Sequence, residues 1–248
     1  MSWGHPRVRL PVRGGGAACV DVERHRPPEA PLRRDRPAHP PGRCSSLYRL
    51  DERLLGELRP GLIVTQGLCA VRAVSHATVS RAARRLAADV PVLSLEPATL
   101  GDILATAATV GAATGHEREA GRLVASKRAR MDAVGSLPPP AGRPRVACLE
   151  WTSPTMAAGH WLPELARLAG GGDPFGQAGE PSRDAGWDEI LEAAPDVVVL
   201  MPCGFDLART LAVSADVTRR PGFGQLPAAR TAGVVAVDVP RGVGDTSR

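Results

Sequence analysis

The stretch best equipped for chemistry is Leu149-Glu150-Trp151-Thr152-Ser153-Pro154-Thr155-Met156-Ala157-Ala158-Gly159-His160-Trp161. It puts two of the four tryptophans and a histidine directly after an apolar run. Tryptophan offers a large flat apolar face and loses little side-chain entropy when held. Trp151 and Trp161 therefore suit a flat, bulky ligand. His160 could ligate a metal or donate a hydrogen bond. The plainer reading puts Trp161 in the core and His160 at the cap of the next helix. Cys69 and Cys203 follow two other apolar runs and could meet as soft metal ligands; incidental thiols are the plainer reading. Glu96 and Glu150 also follow apolar runs, as an acid and base pair or as surface charge. No GxGxxG follows a strand, and neither GxxxxGK[ST] nor GxSxG occurs, so no catalytic residue is assigned.

Charge excludes a nucleic-acid partner. The net charge is +5, and residues 1–48 hold nine arginines against four acids. Residues 49–248 balance 22 basic with 22 acidic residues, so they offer a phosphate backbone no basic face. Lysine occurs once, at Lys127, and asparagine never, a skew typical of biased coding. The five cysteines form no CxxC pair, and no run of 18 apolar residues could span a membrane.

The elements that must position these residues alternate. Residues 1–44 carry eight prolines and no apolar period, which predicts an irregular segment. Leu50, Leu54, Leu55 and Leu58 predict a helix stopped by Pro60. Strands are expected at 62–66, 92–95, 145–150, 197–201 and 234–237. Helices are expected at 74–88, 99–114, 117–135, 160–169, 187–194 and 205–213. Strands apolar on both faces, alternating with helices, imply parallel sheets covered on both sides. Ligands then bind beyond the carboxyl ends of the strands. The candidate loops are Gln66–Ala70, Leu95–Ala98, Glu150–Trp161 and Met201–Asp206.

The chain also repeats itself. Residues 57–69 align with 192–204, each a helix end, a proline, a buried strand and a loop with a cysteine. Residues 86–95 align with 229–237, each a helix end feeding an apolar strand. Two α/β lobes of one design are expected, joined by the helices at 99–135.

Several stretches carry a family resemblance. They are Ser46–Asp51, Leu58–Gln66, Leu93–Pro97, Leu149–Trp151, Gly159-His160-Trp161-Leu162-Pro163-Glu164, Gly179-Glu180-Pro181-Ser182-Arg183 and Pro195–Val199. Over residues 47–238 the chain resembles the helix-linked (class III) substrate-binding proteins of ABC transporters, which take up cobalamin and iron–siderophores. The cobalamin group is the nearest in pattern. The resemblance implies an α/β fold of two Rossmann-like lobes with parallel sheets and a long connecting helix. It implies no catalysis, no cofactor and no metal of its own, with cobalamin as ligand rather than cofactor. It implies a corrinoid held between the lobes by Gln66, Cys69, Trp151, His160, Trp161, Ser182, Arg183 and Cys203. It further implies a permease partner, a monomer and an extracytoplasmic location. The expected divisions are 1–46 irregular, 47–116 first lobe, 117–140 connecting helix and proline linker, 141–238 second lobe and 239–248 tail.

Both ends depart from the family pattern. The family's first strand with its Ser/Thr-rich loop and its closing helix are not recognisable, so both ends read as translation in another frame or as a misplaced gene boundary; no signal peptide is legible. On that reading the first lobe is incomplete and ligand binding impaired. Other readings are an iron–siderophore or haem binder of the same fold, a cytosolic metal protein or enzyme using Cys69, Cys203 and His160, and a non-functional product. A single tyrosine, Tyr48, argues against a siderophore site built on tyrosine and arginine.

Overall fold

The computed structural model describes residues 52–66, 90–138 and 142–239. The irregular segment expected at 1–46, the helix expected at 74–88, Cys69 and residues 240–248 of the tail lie outside them. The chain is an α/β protein, and its described residues form two separate sheets.

The first unit opens with α1 (Glu52–Leu58), which buries Leu55. Pro60 stops it, and Arg59 just before takes a left-handed φ of 43°. β1 (Ile63–Thr65) then pairs in parallel with β2 (Val92–Ser94). Two helices follow. α2 (Leu100–Thr114) begins at Thr99, whose hydroxyl accepts from the Asp102 amide, while the Asp102 carboxylate accepts from the Thr99 amide. This reciprocal cap satisfies amides that helix geometry leaves without partners. Gly115 ends α2 at a φ of 70°, a conformation that costs glycine little. α3 (Glu117–Gly135) spans 19 residues, about 28 Å at 1.5 Å per residue. It packs against α2 where Gly111, lacking a side chain, meets the Ala120 methyl. The expected linker helix at 117–135 is this element.

The second unit is a five-stranded sheet in the order β5-β4-β3-β6-β7. β3 (Val146–Thr152), β6 (Val197–Leu200) and β7 (Val234–Ala236) are parallel. β4 (Thr155–Ala157) and β5 (Arg183–Asp184) run antiparallel. The expected parallel sheet is thus present in β3, β6 and β7, and two short antiparallel strands extend it at one edge. β3 continues past Glu150 to Thr152, turns at Ser153-Pro154 and returns as β4, where a loop was expected. Three residues are too few for alternation to mark a strand in the sequence.

Five helices complete the unit. They are α4 (Leu162–Leu168), α5 (Trp187–Ala193), α6 (Leu207–Val213), α7 (Ala215–Thr218) and α8 (Pro227–Arg230). The core joins Ala147 and Leu149 of β3 with Val198 and Leu200 of β6. Ile190, Val217, Phe223 and Leu226 close over them. Burying each such leucine or isoleucine contributes about 1.5–3 kcal/mol before ordering costs.

The repeat holds in the backbone. Arg59 and Ala194 occupy equivalent positions before a proline, and both have a φ of 43°. Ile63 pairs with Val92 as Val198 pairs with Val234. The Leu95 amide donates to Thr65 O at 2.8 Å, and the Val237 amide to Leu200 O at 2.9 Å. Among the described residues no helix is long and apolar enough to cross a membrane.

Candidate functional site

The richest local architecture lies where β4 runs out. The chain turns through Gly159 and His160 before α4 begins. His160 holds a left-handed φ of 54°. The turn is fastened to the segment 179–182 by three hydrogen bonds. The His160 amide donates to Glu180 O at 2.6 Å, and the Gly179 amide to His160 O at 2.9 Å. The Gly159 amide donates to Ser182 Oγ at 3.0 Å. The two backbones approach so closely that a Cβ on Gly159 would sit 2.6 Å from the Ser182 amide nitrogen. Only glycine permits that approach.

His160, Trp161 and Ser182 are thereby brought together. The His160 ring lies 5.9 Å from the Trp161 ring, tilted by 33°. Its Nδ1 is buried and has no hydrogen-bond partner. Trp161, not His160, occupies the cap position of α4, and no side chain caps that helix. This corrects the cap reading of His160. Arg183 belongs to β5, beside the turn, and its guanidinium is engaged. Nε donates to Phe175 O at 3.1 Å, and the terminal nitrogens pair with the Glu189 carboxylate. That pairing raises the arginine further and lowers Glu189 below the usual carboxylate range.

The first unit reaches the same place. The Leu100 amide, at the start of α2, donates to Glu164 Oε2 at 2.6 Å. The Thr99 methyl stands 3.7 Å from where a Cβ on Gly179 would lie. The loop after β2 thus delivers the start of α2 against the turn that carries His160 and Trp161.

A second cluster sits at the carboxyl ends of β3 and β6. Trp151 is half-buried, meets Phe205 edge-on at 5.4 Å and donates from Nε1 to Ser153 O. The Arg209 guanidinium lies 3.8 Å over the Phe205 ring, a cation–π contact. The Cys203 amide donates to Glu150 O at 3.2 Å, which brings its loop beside Trp151. The hairpin carries the chain back until the Ala158 amide bonds Cys148 O. Trp151 is thus set off from the His160 turn by about 10 Å of strand, at 3.3 Å per residue.

Gln66 is exposed just after β1, beside the Leu95 turn. Glu96 accepts from Ser94 Oγ at 2.7 Å, a local contact at the end of β2. Cys203 is exposed. Cys148 is the buried thiol: burial, and then the nearby Asp173 carboxylate, push it up to about 12. Asp173 is raised by its own burial, although its Oδ1 accepts from the Phe175 and Gly176 amides. A thiol so disfavoured as thiolate is a poor nucleophile or metal ligand. Among the described residues no three His, Cys, Asp or Glu side chains gather as a metal site. Sequence reasoning missed Glu164, Phe205 and Arg209. Glu164 lay within a quoted motif, and Phe205 within a candidate loop.

Two α/β units with a 19-residue helix between them, and turns converging from both, match the two-lobed architecture that the sequence resemblance implied. A periplasmic binding protein family matches residues 55–239, and the chain belongs to that family. Three solved structures show the shared fold. The chain is similar to the periplasmic heme-binding protein HutB of Vibrio cholerae, at 19% identity and a TM-score of 0.61, over 77% of this chain and 72% of that one. It is similar to the periplasmic vitamin B12-binding protein BtuF of Vibrio cholerae, at 18% identity and a TM-score of 0.55, over 75% and 68%. It is also similar to an ABC-type Fe3+-hydroxamate transport system from Saccharomonospora viridis DSM 43017, at 21% identity and a TM-score of 0.57, over 76% and 64%. No curated protein matches the chain.

Proposed function

We propose that this chain is the substrate-binding component of an ABC-type importer, holding a flat metal chelate between its two units and handing it to a permease outside the cytoplasm. The favoured ligand class is a corrinoid. The observation that carries the reading is the His160–Trp161 turn, fastened by three hydrogen bonds and faced by the start of α2 from the other unit. A site between two units needs groups from both, held rigidly before the ligand arrives. Trp161 supplies apolar ring surface, and His160 supplies an imidazole. Residues 49–248 carry no net charge. A neutral body exerts little long-range pull on an anionic chelate, which favours a ligand held by stacking and shape. Heme and Fe3+-hydroxamate are bound or transported by similar structures, and they serve as the competing ligands.

Titration calorimetry of the full chain with cyanocobalamin, hemin and a ferric hydroxamate tests the reading, at low and high salt. The expected result is saturable one-to-one binding of cyanocobalamin that salt changes little. Trp161→Ala should weaken it about tenfold, since one ring face buries on the order of 100 Å² of apolar surface. Tight binding of the hydroxamate alone, collapsing with salt, would overturn the corrinoid preference. Absence of binding to all three would overturn the ligand class.

A further inference from the structure

The start of α2 is capped from within by Thr99 and Asp102. Ala98 and Thr99 donate to Asp102 Oδ2 at 3.1 and 2.9 Å, and Asp102 donates to Thr99 Oγ1 at 3.1 Å. The Leu100 amide is the exception: its acceptor, Glu164, is 64 residues away. That carboxylate stands in the first turn of α4, three residues after Trp161. A carboxylate accepting from a helix-start amide makes a charge-assisted bond, reinforced by the helix dipole.

We propose that Glu164 is a positioning residue: by accepting from α2 across the two units, it fixes the His160–Trp161 turn against the start of that helix. Its role as a determinant of ligand affinity rests on the function proposed above; the clamp itself does not. Three features make the contact a setting device rather than a chance cap. α4 starts with Leu162 and the buried Pro163, so Glu164 sits on a stiff first turn. The turn before it is locked to residues 179–182, so a shift of Glu164 moves the whole assembly. Thr99, next to Leu100, touches that same assembly at Gly179.

Amide hydrogen exchange of the ligand-free full chain tests the clamp. In Glu164→Ala the Leu100 amide should exchange at least tenfold faster, with the core amides of Val198 and Leu200 unchanged. Glu164→Gln keeps an acceptor without the charge and should restore part of the protection, leaving Leu100 exchange about threefold faster than in the wild type. Should Glu164→Ala fail to fold, Glu164→Gln decides: loss of charge alone should speed Leu100 exchange severalfold, and no change overturns the clamp. Titration with cyanocobalamin and hemin then tests the consequence. Glu164→Ala should raise Kd about tenfold, and Glu164→Gln should recover most of it. Weaker binding without faster Leu100 exchange would mean that Glu164 touches the ligand directly, and would overturn the positioning role. Failure of the wild type to bind either probe refutes the ligand reading alone, and the amide measurement still decides the clamp.

Discussion

Gly159→Ala tests the architecture that holds the candidate site. The added methyl would press against the Glu180 carbonyl oxygen, 2.5 Å from the Pro181 carbonyl carbon and 2.6 Å from the Ser182 amide nitrogen. All three are backbone atoms, so no side chain can rotate away. Either the 158–161 turn or the 179–182 segment must move. Overpacking of this kind costs about 1–3 kcal/mol. Displacement also strains the bonds from Gly159 to Ser182 and from His160 to Glu180, each worth about 0.5–1.5 kcal/mol. The expected loss is roughly 2–4 kcal/mol, or a Tm lowered by about 5–15 °C. The control is Gly121→Ala, mid-helix in α3, where a Cβ meets nothing within 4 Å. There alanine should stabilise by about 0.5–1 kcal/mol. Urea unfolding of both variants, followed by tryptophan fluorescence and circular dichroism, gives the two signs. A loss below about 0.5 kcal/mol for Gly159→Ala would refute the close approach.

Iodoacetamide at pH 8 should label exposed Cys203 in the native chain, and Cys148 only after unfolding, as mass spectrometry would read. The folded Cys148 thiol is raised from 9.0 to about 12, so its contribution to stability is present below pH 9 and lost between pH 9 and about 12. Cys148→Ala should flatten the alkaline loss of stability over that interval. Asp102 is lowered below its ordinary 3.8, chiefly by the Thr99 hydroxyl and then by backbone amides. Its stabilisation of α2 is therefore present above that value and lost as pH falls below it; Thr99→Ala should weaken this dependence in acid titrations followed by circular dichroism. Leu149→Ala should cost about 2–5 kcal/mol in urea unfolding, because the emptied position lies at the centre of the core.

The sequence displayed the parts that depend on local signals. α2 was legible because Thr99 and Gly115 cap it, and α3 because its apolar residues recur at helical spacing. The repeat was legible because helix end, proline and apolar strand recur in order; its register follows from that order. The rest depends on contacts distant in the chain. β4 is three residues long and exists because β3 on one side and β5 on the other supply its hydrogen bonds. The left-handed turns at Arg59 and Ala194 carry neither glycine nor asparagine, so no residue type announces them. Trp151 and Trp161 looked like one loop because they are ten residues apart; the hairpin between them assigns them to different clusters. Arg183, which the resemblance implies as a corrinoid contact, has its guanidinium engaged by Glu189, a pairing across six residues that no motif displays.

The two clusters also differ in what can move. α4 is tied at its start by Glu164 to Leu100, and at its end Leu168 packs on α3, where a Cβ on Gly135 would lie 3.2 Å away. α2 and α3 are packed on each other at Gly111 and Ala120. The His160–Trp161 turn therefore hangs from a short helix held at both ends by the two connecting helices. A rigid turn pays its ordering cost during folding rather than on binding. The Trp151–Phe205–Arg209 group is held differently, by a ring contact and a cation–π contact at the end of the sheet. Such contacts are worth about 0.5–1.5 kcal/mol each, the same order as one of the hydrogen bonds that fasten the turn. What sets the His160–Trp161 turn apart is that its bonds reach distant parts of the chain, the 179–182 segment on one side and, through Glu164, the start of α2 on the other.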